Sequence, residues 1–272
     1  MLSSDTLVNL NANAPNVVTT GPASINPDTG KPYGMSFPVV SIKDFVNVQA
    51  ALIESLGIKK LKAVVGASMG GLQAYEWAAS HPDQIDRIVA VISAPAADPY
   101  LIGWLDAWAA PIKLDPKWNS GDYYGKEPPL DGLAAALVLV TLQAQHSEWA
   151  TKTQAGPADA AKDPSKALNN KFKIQATLDG AGAARAKASD ANSFLYLVKA
   201  NQLADADPAK VKAPALIIYT PTDEIFYAPY VEDAAKKMSK AETATVAAPN
   251  GHLNGVLHLA PVGGKITEFL AR

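Results

Sequence analysis

A pentapeptide early in the chain has the residue types and spacing of a catalytic nucleophile. Residues 66–70 read Gly-Ala-Ser-Met-Gly, which fits the G-x-S-x-G pattern of a serine on a sharp strand-to-helix turn. The apolar run Leu61–Val65 precedes the pattern, and a helical pattern over Met69–Ser80 follows it. Flanking glycines allow the close backbone approach that such a turn requires. The sequence therefore predicts that Ser68 is a nucleophile; the alternative is a glycine-rich turn without catalysis.

A serine nucleophile needs a general base, and position along the chain separates the four histidines. His81 follows the helix after the serine, His146 lies in a long helical region, and His258 lies inside the last predicted helix. His252 instead follows a predicted strand and precedes that last helix. We therefore expect His252 to be the base, with an ordinary loop residue as the alternative.

The base needs a carboxylate to orient it, and the stretch after the predicted strand Ala215–Tyr219 offers two. Residues 220–224 read Thr-Pro-Thr-Asp-Glu, so Asp223 and Glu224 are both candidates. The order serine, acid, histidine, with each residue after a strand, is more specific than the pentapeptide alone. In this arrangement the histidine would take the serine proton while the serine oxygen attacks an ester or thioester carbonyl.

The developing oxyanion needs hydrogen-bond donors. The backbone N–H of Met69, at the positive end of a helix dipole, is expected to be one donor. The second donor of this arrangement comes from a loop after an earlier strand. That loop is expected N-terminal to the assigned elements, and the residues before Asp5 do not supply it.

These residues need a scaffold, and short apolar runs alternate with helical patterns along much of the chain. The alternation predicts an α/β fold, a parallel sheet with helices on both faces. A helix is expected from the N-cap residue Ser41 to Gly57. Residues 21–34 are dense in turn formers and predict a loop. The expected strands are Thr6–Leu10, Leu61–Val65, Ile85–Ile92, Ala215–Tyr219 and Thr243–Ala247.

A long block with only helical and loop patterns interrupts this alternation. We interpret the block as a helical cap or lid inserted into the α/β fold. The expected domains are core residues 1–97, cap residues 98–207 and core residues 208–272. Two tryptophans of the block, Trp104 and Trp108, either line an apolar acyl pocket or pack among the cap helices.

Composition excludes several other classes of function. Lys and Arg number 24 against 26 Asp and Glu, which leaves no basic surface for nucleic acid or an anionic membrane. The longest apolar run, Leu133–Val140, is far shorter than the roughly 20 residues of a membrane span. Without cysteine, a thiolate nucleophile and a disulfide framework are excluded, and we expect no metal and no cofactor. Met1–Asp5 does not resemble a signal peptide, and the sequence does not distinguish a cytoplasmic from a periplasmic location.

Four stretches of the chain form a distinctive set of motifs. They are Gly-Pro-Ala-Ser-Ile-Asn-Pro at 21–27, Thr-Gly-Lys-Pro-Tyr-Gly at 29–34, Phe-Pro-Val-Val at 37–40 and Gly-Ala-Ser-Met-Gly-Gly at 66–71. This set resembles the homoserine O-acetyltransferase family of α/β-hydrolase-fold enzymes. The resemblance implies a triad of Ser68, Asp223 and His252, with acetyl transfer from acetyl-CoA to a hydroxyl through an acetyl-serine. It also implies a homodimer formed through the cap helices.

Three departures from the family's pattern bear on this expectation. Ahead of Ile112 the family has an Arg that holds the amino-acid carboxylate, and this chain reads Trp-Ala-Ala-Pro at 108–111. After the histidine the family has an Asp that faces the substrate amine, and this chain has Leu253. Both changes remove charges that would recognise a zwitterionic amino acid. The family also has a long N-terminal segment with strands and the oxyanion loop, which a separate N-terminal chain could supply here.

The leading hypothesis is a serine-dependent acyl-transfer enzyme that hydrolyses acetyl or similar esters of a substrate other than an amino acid. One alternative is an acetyl-CoA-dependent O-acetyltransferase whose substrate contacts have moved to Arg185 or to a lysine. Another is a non-catalytic or incomplete subunit, because half of the oxyanion hole is not accounted for. The acyl group, the acceptor alcohol and the oligomeric state stay open.

Overall fold

A sheet of four parallel strands forms the centre of the computed structural model, which describes residues 20–272. The strands, adjacent in chain order, are β1 (Val64–Ala67), β2 (Ile88–Val91), β3 (Ala215–Tyr219) and β4 (Ala241–Thr245). Their register pairs Val64 with Ile88, Ile88 with Ala215 and Ala215 with Ala241. All four strands therefore end at the same edge of the sheet, and the predicted α/β fold class is confirmed.

The bounds of three strands differ from the prediction. Leu61 and Ile85 form only an isolated bridge with each other, so β1 and β2 both begin three residues later than predicted. Pairing of β1 continues through Gly66 to the following residue, because ladder hydrogen bonds need no side chain. The fourth strand starts and ends two residues before the predicted Thr243–Ala247. The predicted strand Thr6–Leu10 lies outside the described residues.

Ten α-helices surround this sheet in the described part of the chain. They are α1 (Ile42–Ser55), α2 (Met69–Ser80), α3 (Pro99–Leu114), α4 (Leu130–Gln143), α5 (Ser147–Thr153), α6 (Lys173–Ala186), α7 (Ala191–Gln202), α8 (Ala228–Lys237), α9 (Asn254–Leu257) and α10 (Gly263–Ala271). The N-terminus of α1 has the predicted cap, a reciprocal pair of hydrogen bonds between Ser41 and Asp44. Gly57 follows this helix with φ of 73°, also as predicted. His258 lies between α9 and α10, so its predicted place inside the last helix is wrong.

Side chains of β2 and β3 are buried on both faces of the sheet. On one face Ile88 and Ile217 pack in a cluster with residues of α1, α2 and the helices that follow β2. On the other face Val89 and Leu216 pack with Phe269 of α10. This alternation with a period of two residues is what a strand covered by helices on both faces requires.

The chain between β2 and β3 forms the helices α3 to α7 and no strand. Helix α4 packs against α3 and α6, and α3 also packs against α7. These helices form a layer above the carboxyl edge of the sheet, since residues of α3, α4, α6 and α7 line a cavity there together with residues that follow the strands. The helical insertion of the predicted fold is therefore present; the domain boundaries at 97 and 207 stay a prediction.

Candidate active site

Ser68 lies on the turn between β1 and α2 in a backbone conformation that L residues rarely adopt. Its φ is 54° and its ψ is −120°. The Ser68 N–H donates to the Val91 carbonyl at 2.9 Å, and the Ser68 carbonyl accepts from the N–H groups of Gly71 and Leu72 at 2.8 and 3.2 Å. These bonds hold the strained turn, and the side chain does not cap α2, so the hydroxyl is available to another partner.

Two glycines make this turn sterically feasible. A Cβ added to Gly66 would lie 2.1 Å from the carbonyl oxygen of Gly70. A Cβ added to Gly71 would lie 2.4 Å from the Cβ of Ser93. Because real Cβ atoms do not approach other atoms so closely, the sequence pattern around Ser68 follows from the close passage of β1, β2 and α2.

A continuous chain of hydrogen bonds joins Ser68 to a histidine and a carboxylate. Ser68 Oγ lies 2.9 Å from His252 Nε2, and His252 Nδ1 lies 2.8 Å from Asp223 Oδ2. His252 is 5% exposed and Asp223 is 3% exposed, so little water competes for these bonds. Since a carboxylate only accepts, the imidazole proton lies on Nδ1 and Nε2 is left to accept from the serine hydroxyl. The structure thus brings together the three residues that the sequence selected.

The Asp223 carboxylate is held by two backbone groups as well as by the histidine. Its Oδ1 accepts from the N–H groups of Ile225 and Phe226 at 2.8 and 3.0 Å. The neighbouring Glu224 residue is exposed, and its backbone carbonyl accepts from Gln143 Nε2 at 2.9 Å. Between the two carboxylates that the sequence offered, the geometry therefore favours Asp223.

The loop that carries His252 is fixed by Asn254, a residue that the sequence analysis missed. Asn254 is 0% exposed. Its side chain accepts from the Asn250 N–H at 3.0 Å and donates to the Ala248 carbonyl at 2.7 Å and to Thr220 Oγ1 at 2.9 Å. The only local signal is an Asn-Gly pair at 254–255, which is typical of turns and does not indicate a buried amide.

The other histidines do not reach Ser68 in the described structure. The ring of His81 packs on Trp77, with centroids 5.1 Å apart. The Nδ1 atom of His146 accepts from the backbone N–H of Glu148 at the start of α5. His258 Nε2 lies 3.1 Å from the side-chain oxygen of an asparagine in the same loop as His252. Each of these rings therefore has a local packing, capping or hydrogen-bonding contact.

A cleft of about 640 Å³ opens beside Ser68 and His252. Its walls come from the cap helices and from the ends of the strands, and most of the lining side chains are apolar, among them Ile92, Leu105, Leu137, Phe194, Leu253 and Val256. Met69, the first residue of α2 and the expected oxyanion donor, also lines it. The cleft can therefore hold the apolar part of a small substrate against the serine.

The two cap tryptophans have different surroundings. Trp108 lines the cleft, and its indole N–H donates to Gln143 Oε1 at 2.9 Å. Trp104 does not line the cleft; it packs against the hydrophobic core with its ring near that of Tyr100. The pocket role predicted for both tryptophans thus fits the position of Trp108, and the packing role fits Trp104.

Arg185 lies on α6 and lines the cleft together with Thr141. Its Nη1 donates to Thr141 Oγ1 at 3.0 Å. The surrounding chain removes water from the guanidinium, which lowers the pKa of Arg185. A charged group is thus present in a mostly apolar cleft, at the arginine that the sequence analysis offered as an alternative substrate contact.

Two further features bear on the class of site. Residues 20–272 contain no group of three or more His, Asp or Glu side chains arranged to hold a metal ion. Within the same residues, every helix is too short or too polar to cross a membrane.

The matches to known proteins agree with the fold. Residues 19–259 match the model of the α/β hydrolase fold family. Homoserine O-acetyltransferase of Methanosphaerula palustris is 41% identical over 221 residues, which cover 78% of this chain and 45% of that protein. Homoserine O-acetyltransferase of Carboxydothermus hydrogenoformans is 33% identical over 271 residues, which cover 93% of this chain and 71% of that protein.

A solved structure matches over nearly the whole chain. The crystal structure of esterase E22 superposes with a TM-score of 0.90 at 41% identity, over 97% of this chain and 76% of that chain. Fold and matches together define an α/β hydrolase. More narrowly, the chain belongs to the homoserine O-acetyltransferase-like family of that superfamily. The chain spans about half the length of the M. palustris relative.

Proposed function

We propose that the protein hydrolyses acetyl or similar esters through an acyl-Ser68 intermediate. The observation that carries the proposal is the chain of hydrogen bonds from Ser68 Oγ through His252 to Asp223, with distances of 2.9 and 2.8 Å. A serine hydroxyl is a weak nucleophile on its own, and a buried, oriented imidazole is the standard means of activating it. The position of Ser68 in the lining of a mostly apolar cleft supports a small ester as the substrate.

In the first half-reaction, Ser68 Oγ forms a bond to the ester carbonyl carbon while His252 Nε2 takes the hydroxyl proton. Asp223 stabilises the resulting imidazolium, and the backbone N–H of Met69 is the proposed donor to the oxyanion. The tetrahedral intermediate then breaks the bond to the alcohol oxygen, which receives the proton from His252. The alcohol leaves, and the acyl group stays on the serine oxygen.

In the second half-reaction, water attacks the acyl carbon and gives its proton to the same imidazole nitrogen. The bond to Ser68 Oγ breaks, the serine recovers the proton, and the carboxylic acid leaves. An alcohol in place of water would complete an acyl transfer instead. Hydrolase and transferase thus share the acyl-serine and differ only in the acceptor that reaches it.

Two positions favour water over an amino-acid acceptor. In the stretch 108–111, where the family has its carboxylate-binding Arg, Trp108 lines the cleft and no charged residue is present. Leu253 presents an apolar side chain to the cleft directly after His252. Esterase E22, with 41% identity, supports the same reading. The names of the sequence relatives favour O-acetylation of homoserine as the second candidate, with acetyl-CoA as the proposed acetyl donor.

Hydrolysis of p-nitrophenyl acetate, measured with and without added alcohols, tests the first candidate, with Ser68→Ala as the control. We expect steady release of acetate by the wild type and none above background by the variant. In parallel, acetyl-CoA and homoserine are supplied and O-acetylhomoserine is quantified. Negligible hydrolysis together with fast homoserine acetylation would contradict the proposed ester hydrolysis and show that the protein is a transferase.

A fluorophosphonate probe separates either activity from a non-catalytic subunit. We expect intact mass to rise by one phosphonyl adduct on the wild type and not on Ser68→Ala. Absence of the adduct, under conditions in which a standard serine esterase is labelled, would overturn the enzymatic reading of this chain. A homodimer through the cap and a separate N-terminal chain stay predictions that light scattering and co-purification would test.

A further inference from the structure

Arg185 is the one Lys or Arg side chain that lines the cleft of Ser68 in the described part of the protein. No Asp or Glu side chain of residues 20–272 lines the same cleft. The remaining polar lining consists of neutral groups such as Thr141 and Asn201, apart from the imidazole of His252. As far as residues 20–272 line it, the cleft of Ser68 therefore contains one permanent positive charge and no negative charge to balance it.

The other two arginines of the chain are engaged differently. Arg272 forms ion pairs with Glu242 and Glu268. Arg87 is buried and donates to the backbone carbonyl of Phe269. Arg185, by contrast, has no carboxylate within 4.0 Å among residues 20–272, and the one hydrogen bond of its guanidinium within these residues is to a neutral hydroxyl.

This placement leaves the guanidinium accessible to a ligand. Arg185 is exposed as a residue, but the neighbouring chain withdraws part of the water around its guanidinium and lowers the pKa of Arg185. A partly desolvated charge gains free energy when an anion pairs with it. The planar guanidinium offers two parallel N–H donors that match the oxygens of a carboxylate.

We propose that the substrate of the Ser68 site is an ester that also carries a carboxylate, and that Arg185 binds this carboxylate. Thr141 accepts from Nη1 of the guanidinium, and the remaining N–H donors are the ones that would bind the ligand. The proposal rests on the proposed ester hydrolysis and adds the class of ester. Arg185 is a specificity residue in this scheme and takes no part in bond formation.

Matched pairs of esters test the proposal. Monoethyl succinate against ethyl butyrate places the carboxylate on the acyl side; 4-acetoxybutyrate against butyl acetate places it on the alcohol side. We expect the wild type to prefer the charged member of one pair. Arg185→Gln should raise KM for that ester about tenfold. This loss of binding lies between the loss expected for an exposed ion pair and the loss expected for a buried charged hydrogen bond.

Two further variants separate charge from geometry. Arg185→Lys should keep part of the preference, because the charge remains without the planar pair of donors. Lys187→Gln is the matched control, since Lys187 follows the same helix, is exposed and lines a different pocket. The control and the neutral esters should change by no more than about twofold. Equal effects of Arg185→Gln on charged and neutral esters would overturn the proposal.

A binding measurement keeps this test independent of turnover. If no ester is hydrolysed, the proposed function fails. Calorimetric titration with succinate then still measures whether Arg185 binds a carboxylate. Binding of succinate that is lost in Arg185→Gln and kept in Lys187→Gln would support the carboxylate site. No binding, or tighter binding of inorganic phosphate than of succinate, would overturn it.

Discussion

The side-chain amide of Asn254 donates a hydrogen bond of 2.9 Å to the hydroxyl of Thr220. Thr220 directly follows β3 and begins the loop of Asp223, whereas Asn254 directly follows the turn of His252. The same amide donates to the Ala248 carbonyl at 2.7 Å. One buried side chain therefore joins the loop of the candidate acid to the loop of the candidate base.

Replacement of Asn254 by Ala should lower kcat for ester hydrolysis more than it changes KM. The loss of these hydrogen bonds frees the loop of His252 relative to Asp223, so the imidazole spends less time in the productive orientation. We expect kcat to fall about tenfold and the free energy of unfolding to fall by about 1–3 kcal/mol, the usual range for buried groups left without partners. Steady-state kinetics and urea unfolding measure the two effects.

A double-mutant cycle with Thr220→Val is the control for this relationship. If the bond between Thr220 and Asn254 carries the effect, the double variant is hardly slower than Asn254→Ala alone. Strictly additive losses in kcat would show that the two residues act separately. A fall in stability with unchanged kcat would reduce Asn254 to a purely structural role.

Asp223→Asn should lower kcat about 10³- to 10⁴-fold while the loop keeps its shape. In the wild type, the N–H groups of Ile225 and Phe226 donate to Asp223 Oδ1. In the variant, the side-chain oxygen of the new Asn can still accept from both groups. The amide nitrogen then faces His252 Nδ1 and imposes the wrong tautomer. Glu224→Gln is the matched control because Glu224 is adjacent and exposed. A larger kcat loss in Glu224→Gln would transfer the acid role to that residue.

Local signals were sufficient to predict much of the scaffold. The bounds of β3 were predicted residue for residue because apolar and β-branched side chains mark a strand that is buried on both faces. The ends of α1 were predicted because Ser41 and Gly57 act through their own backbone neighbours. The start of β1 was misplaced because Leu61 is apolar for another reason: it packs against the core cluster outside the strand.

Contacts between distant residues could not be predicted in this way. Gln143 accepts from the indole of Trp108 and donates to the carbonyl of Glu224, two partners that are far from it in sequence. Trp104 and Trp108 are four residues apart, so helical spacing places them on the same side of α3. Only the helices packed around them decide that one lines the cleft and the other does not.

A hydrogen bond at the end of β3 predicts a loss of stability at alkaline pH. The Tyr219 hydroxyl donates to Glu232 Oε1 at 2.6 Å. This bond, together with burial, raises the pKa of Tyr219 from 10.0 to about 12. The folded protein thus holds the phenol proton more tightly than the unfolded chain. The hydrogen bond between Tyr219 and Glu232 therefore stabilises the folded protein fully below pH 10, and this stabilisation is lost as the pH rises towards 12.

The difference in unfolding free energy between the wild type and Tyr219→Phe reports this effect. Urea titrations at several pH values should give a constant difference below pH 10 and a shrinking one above it. Tyr230→Phe is the control, because Tyr230 is 53% exposed. A difference that grows with rising pH would contradict the assignment to Tyr219.

Gly255→Ala should impair catalysis through the position of His252. A Cβ at Gly255 would lie 2.4 Å from Cγ2 of Ile92, so either α9 or Ile92 has to shift. Ile92 has little freedom, because it is 1% exposed and its φ of 44° is unusual for a β-branched residue. We therefore expect α9 to move and to carry His252 away from Ser68. A displacement of about 1 Å at such a site lowers kcat about 10²-fold.

The matched control for this substitution is Gly264→Ala in α10, where an added Cβ meets no atom within 4 Å. That variant should keep its kcat and gain a little stability, because alanine loses less backbone freedom than glycine when a helix forms. Ester hydrolysis and fluorophosphonate labelling of Ser68 measure both variants. If Gly255→Ala keeps wild-type kcat, Ile92 yields to the new methyl group, and α9 does not set the position of His252.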